Sequence, residues 1–201
     1  VRPVWQVLGA LLLASQVGCF GLLNDDVTRR VHGQTHVGPF VSEEAYGAFL
    51  AGALAEQARD LEGAERFFAR AASLDAKTPD PLVRLGAVQC ARGAVERGEK
   101  SLREALERDP DFAPAHRERA LCLLTRDPPQ ARVAARRALD LDPSDPAPPL
   151  LLARLALLDN DAAEALRWVE ARLAYSPRDP QALAFVQSQE HPAFAPTSRR
   201  L

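Results

Sequence analysis

The sequence predicts an all-helical chain of repeated helix pairs, on three observations. Aromatic residues make up only 6% of it and alanine, leucine and arginine are plentiful, a composition that favours helix over sheet. Prolines fall at Pro110, Pro143 and Pro177, 33 and 34 residues apart, and each closes an apolar-periodic run. Small residues recur in step with those prolines. Composition sets the outer bounds. A chain of 201 residues holds one domain with a leader or tail. With 47% hydrophobic and 26% charged residues, wholesale disorder is excluded. A net charge of −2 excludes a strongly basic nucleic-acid binder and a polybasic membrane-surface protein. Three cysteines are too few for a disulfide-built scaffold.

Residues 1–19 read as an address. Arg2 precedes an apolar run from Val4 to Ala14, the pattern of a secretory signal. The run falls short of the roughly 20 apolar residues a membrane-spanning helix needs. Small residues then lead to Gly18 and Cys19, which resembles a bacterial lipobox, although Gln16 stands where leucine is usual. That resemblance implies a lipid on Cys19. Because Phe20 rather than aspartate follows, it implies the outer membrane, facing the periplasm. An incidental cysteine after an ordinary cleaved leader would leave a periplasmic protein instead. Residues 20–44 form an arm or linker. From Thr28 to Val41 there is no helical period, and Gly33, Gly38 and Pro39 punctuate the stretch. It reads as an extended arm or short hairpin, ending where Ser42 N-caps the first helix.

The repeats occupy residues 45–190, with units starting near Ala45, Pro79, Ala113 and Pro146. The first helix of each carries Gly52, Gly86, Ala120 or Ala153, and the second carries Ala64, Gly98, Ala131 or Ala165. Two antiparallel helices cannot cross closely over large side chains, so both positions stay small. A third small position holds Ala71, Ala105 and Ala138, while Phe68, Leu102 and Val169 are expected to fill the space between units. The third unit is one residue short at Arg126-Asp127-Pro128-Pro129. A helix over Asp179–Val186 is expected to cap the last apolar face. Residues 191–201 are left as a tail.

A 34-residue period with closing prolines and small crossing residues resembles the tetratricopeptide repeat (TPR). It implies a right-handed α-solenoid of about four such units with a C-terminal capping helix. Departures are visible. Ala48, Leu82, His116 and Pro149 stand at the usual aromatic position, Arg119 and Arg172 replace apolar or small residues, and Ala76 replaces the first closing proline. With the leader, the whole resembles a TPR lipoprotein of a Gram-negative envelope.

No nucleophile elbow, phosphate loop or zinc-protease motif occurs, and no enzyme is expected. His32 and His36 have metal-compatible spacing only on a helix, which Gly33 opposes, so no metal and no cofactor are expected. Cys90 and Cys122, twelfth and tenth in adjacent units, either pair or serve as small buried thiols. The unequal positions lead us to expect divergent side chains. Arginines interleaved with acids read as a solvated face rather than an RNA surface. First helices line the concave face of a solenoid, which places Tyr46, Phe49, Val83, Arg117, Leu121, Leu124 and Arg154 on it. An apolar groove with two cations suits a peptide or helix of another envelope protein, anchored beside it through Cys19. The arm at 27–41 is an alternative occupant. Self-association through the solenoid ends, and an accessory enzyme for cell-wall material, are the other readings.

Overall fold

The computed structural model describes residues 26–31, 34–39 and 41–189. The leader with Cys19, His32 and the tail from 191 onward lie outside them. The N-terminal unit holds a two-stranded antiparallel hairpin, β1 (Asp26–Val31) and β2 (Gln34–Pro39). Asp26 pairs with Pro39 and Val31 with Gln34. Of the two forms the sequence left open for the arm, this is the hairpin.

The second unit begins at Val41, and over its described residues, 41–189, every regular element is a helix. Its four helix pairs are α1 (Glu43–Gln57) with α2 (Leu61–Leu74), α3 (Asp80–Ala91) with α4 (Val95–Arg108), α5 (Ala113–Leu123) with α6 (Pro128–Leu141), and α7 (Ala147–Leu158) with α8 (Ala162–Tyr175). A single helix, α9 (Pro180–Gln189), follows. Ser42 caps α1 as its sequence position implies, its hydroxyl accepting from the Ala45 N–H at 3.1 Å. Asp60, Asp127 and Asp161 cap α2, α6 and α8 in the same way. The tight turns between paired helices use a left-handed residue in three units: Arg59, Gly93 and Asn160. The third unit, shortened by one residue, reaches α6 without one.

The turns between units share one conformation. Asp75, Asp109 and Ser176 are extended and Asp142 lies close by at φ −136°, ψ 88°, all outside the helical region that a following proline disfavours. Asp75 precedes Ala76 rather than proline and is held by hydrogen bonds instead. Its carboxylate accepts from the Lys77 and Thr78 N–H groups at 3.0 Å and from the Thr78 hydroxyl. Arg108 of the next unit donates to the carbonyls of Asp75 and Thr78 at 2.9 and 2.8 Å.

All the small crossing residues are buried, and Phe68, Leu102 and Val169 are fully so. A Cβ on Gly52 would stand 2.7 Å from the Phe68 ring. One on Gly86 would stand 2.7 Å from Leu102 and 2.9 Å from the backbone oxygen of Gly98. The core runs as three successive apolar clusters along the stack, the last closed by Ala182 of α9. Arg172, large where the other units are small, is buried and reaches Asp179 with Nε at 3.0 Å and a terminal nitrogen at 2.8 Å. Asp179 also accepts from the Gln181 and Ala182 N–H groups, so one carboxylate both starts the capping helix and neutralises the buried arginine.

Two outcomes are expected. Gly86→Ala should cost about 1–3 kcal/mol in urea denaturation, because the Gly98 backbone cannot give way as a side-chain tip would. The Ala182 N–H leads in holding the Asp179 carboxyl below its ordinary range, against the effect of burial and with help from Arg172. A depressed folded-state pKa stabilises above the unfolded value of about 3.9 and is lost as pH falls through the folded one. Hydrogen exchange should therefore show α9 protected at neutral pH and released first in acid. Release of α9 no earlier than α3 would contradict this.

Candidate functional site

The first helices of the second, third and fourth units touch one another directly, α3 on α5 and α5 on α7, as well as their own partners. They form the more closely spaced layer, and the candidate binding face lies along it. Tyr46 is 62% exposed and Leu121 42% exposed. Phe49 is half-buried, its ring meeting the Phe68 ring edge-on with centroids 5.4 Å apart. Leu124 is half-buried against the middle cluster. Arg154 is exposed and makes no ion pair among the described residues.

Two expectations for this face are corrected. Val83 is 3% exposed and belongs to the core beside Phe68 and Leu102, so it presents nothing to a ligand. Its repeat position matches Phe49, but α3 is flanked by units on both sides whereas α1 begins the stack. Arg117 is not a free cation. It donates to Asp145 at 2.9 Å and to Glu118 at 3.0 Å, tying the third unit to the fourth. Burial presses its guanidinium toward neutrality, but the two carboxylates outweigh that and raise its pKa. The other arginines are used similarly. Arg84 pairs with Glu56, Arg92 and Arg97 with Glu65, Arg119 with Glu99 and Arg132 with Asp159. They tie neighbouring elements together and are partly buried, where interleaving with acids had suggested a solvated face.

A cavity of about 200 Å³ opens at the start of this face. Val41, Ala45, Tyr46, Phe49 and Pro81 form apolar walls, and Asp75, Thr78 and Asp80 supply its polar edge. Sequence reasoning missed both acids. The signal was there for Asp80, which lies 34 residues after Tyr46 and so occupies the same repeat position. Burial raises the Asp80 pKa, its own backbone N–H opposes this, and the Asp75 charge adds to the rise. The two carboxylates do not make an acid–base pair. Asp75 commits one oxygen to two backbone N–H groups and the other to the Thr78 hydroxyl, and is held as a turn element. Among the described residues no cluster of histidine, cysteine and carboxylate has metal-binding geometry.

The cysteine expectation is also corrected. Cys90 and Cys122 are joined in a disulfide, with Cα atoms 5.4 Å apart. Their unequal repeat positions are the reason they meet. Neighbouring parallel helices face each other through opposite sides, and two residues along a helix turn a side chain by about 200°. Equal positions would point the same way; an offset of two points them at each other. Gly98 makes room, since a Cβ there would lie 2.2 Å from the Cys90 sulfur. Thiol counting in denatured, unreduced protein should therefore find no free thiol from the repeat units. Reduction should cost about 3–4 kcal/mol for a cross-link spanning 32 residues. Two titrating thiols from Cys90 and Cys122 would refute the pairing.

No protein-family model and no curated protein matches the chain. Solved structures do, and the fold is that of tetratricopeptide-repeat proteins. PilF of Pseudomonas aeruginosa is 18% identical with a TM-score of 0.64, over 73% of this chain and 70% of that one. YrrB, a TPR protein described with an unusual peptide-binding site, is 17% identical with a TM-score of 0.59, over 71% and 74%. The first TPR of Spaghetti, bound to an HSP90 peptide, is 13% identical with a TM-score of 0.55, over 59% and 95%. Identities this low establish the solenoid and nothing finer.

Proposed function

We propose that the chain is a non-enzymatic interaction scaffold that binds a peptide or helix of an envelope protein on its first-helix face, anchored at the outer membrane through a lipid on Cys19. The observation that carries the binding reading is the exposure of Tyr46 and Leu121 on a face that also opens the cavity beside Phe49. Apolar side chains left uncovered along one layer favour a contact there. The peptide-bound and peptide-binding TPR structures above show that such a fold can serve this purpose. The Cys90–Cys122 disulfide favours an oxidising compartment, in keeping with a periplasmic location. Catalysis is disfavoured because the acid-edged cavity has one of its carboxylates committed to a turn.

A second reading has its own observation. Tyr46, Leu50 and Leu54, one turn apart on α1, are 62%, 47% and 59% exposed. This stripe would suit a second copy of the chain. Sedimentation separates the readings, since a monomer at micromolar concentration removes the second.

The binding test is Tyr46→Ala with Leu121→Asp, scored by crosslinking in cells and by circular dichroism. Partner crosslinks should disappear while the helical signal stays; undiminished crosslinks would end the groove assignment. Arg117 is left alone, because reversing its charge would set a third acid beside Glu118 and Asp145. Palmitate labelling tests the anchor. The label should vanish in Cys19→Ala, and an unlabelled wild-type chain would refute lipidation.

A further inference from the structure

The cavity at the start of the first-helix face has a charge pattern opposite to the one expected of the groove. Its walls are apolar, its edge carries the carboxylates of Asp75 and Asp80, and among the described residues no cationic side chain lines it. Helix α1, which forms one wall, contains Glu43, Glu44 and Glu56 and no lysine or arginine. The nearest cation along α3, Arg84, is paired with Glu56 and lies over the Phe68 ring at 5.8 Å. Asp75 spends its oxygens on the turn. Asp80 accepts no hydrogen bond from another described residue, so its carboxylate is the one available. The volume, about 200 Å³, lies below the roughly 300–1,000 Å³ of small-molecule sites and matches one long side chain.

We propose that this cavity takes an arginine or lysine side chain of the partner segment, its aliphatic stem against Val41, Ala45 and Pro81 and its charge between the rings of Tyr46 and Phe49 and the carboxylate of Asp80. Aromatic faces attract a cation, and a carboxylate fixes its position. The partner segment is therefore apolar and basic rather than apolar and acidic. This rests on the first-helix face binding a partner at all. The raised pKa of Asp80 agrees, because a carboxylate that is exposed at the cavity mouth but has lost part of its hydration, beside a second negative charge, is relieved by a cation.

The probe is a phage-displayed library of random peptides, selected on the full chain as wild type, Asp80→Asn and Leu121→Asp, each checked for fold by circular dichroism. Wild type should select peptides with arginine or lysine next to apolar residues. For one selected peptide, replacing its basic residue with a neutral isostere (citrulline for arginine) should weaken binding about tenfold on wild type and hardly at all on Asp80→Asn. Basic peptides recovered equally well on Asp80→Asn would overturn the assignment. So would acidic or neutral peptides that still depend on Leu121, which would leave the groove reading standing. Purely apolar peptides from a chain that sediments as a dimer would give the cavity to a second copy. No selection on any form would remove the groove and the cavity together.

Discussion

The distance at which paired helices cross governs the rest of this structure. At Gly86 and Gly98 the backbones come so close that a single methyl group would stand 2.9 Å from a carbonyl oxygen. Ala120 with Ala131, and Ala153 with Ala165, hold the same approach with no exposed surface left. That closeness leaves a wedge between one pair and the next, which Phe68, Leu102 and Val169 fill. Close packing on both sides makes the cost of enlarging any of these residues high.

Cohesion between units is more varied than cohesion within them. The apolar seams supply the bulk of it, and the bridging arginines add unequal amounts. Arg126 with Glu96, both more than 70% exposed, adds little in water. Arg119 with Glu99, at 22% and 16% exposure, sits where solvent screens less, although one Glu99 oxygen is buried without a partner. The Cys90–Cys122 bond acts differently from both, by restricting the unfolded chain as well as joining adjacent first helices. It joins the first helices of the second and third units, with Cys122 directly beside the exposed Leu121, and so holds that stretch of the face against its neighbour.

The repeat was legible because its constraint is local and repeats. A small residue every 33 or 34 positions and a proline at three of the four closes show through without any knowledge of tertiary contacts. What sequence reasoning missed depends on relations between helices. Val83 follows the same repeat rule as Phe49, yet it is covered because α3 has neighbours on both sides. Arg117 looked like a ligand cation until Asp145, 28 residues on, was brought within 2.9 Å. The cysteines looked divergent because equal repeat position was taken as the condition for meeting, when side-by-side helices require an offset. Asp75 hid for a different reason: the repeat marks the unit's close beside it at Ala76, but nothing in the local sequence shows that its side chain also edges a cavity.

The helical unit is finished differently at its two ends, and that difference bears on function. At the C-terminal end, Asp179 caps α9 and neutralises Arg172, while Ala182 seals the last apolar cluster. At the other end, α1 shows Tyr46, Leu50 and Leu54 to the outside and holds one wall of a cavity edged by acids. A stack closed this carefully at one end gains no stability from an apolar stripe at the other, and an uncovered stripe carries an association hazard. Its retention is explained if the first unit works as a contact surface rather than as a terminator. Binding energy would then concentrate around Tyr46 and Phe49, where rings and a carboxylate converge, with Leu121 as a second apolar contact further along the face. Such a division places the specific contact at the start of the solenoid and leaves the later units to set its reach.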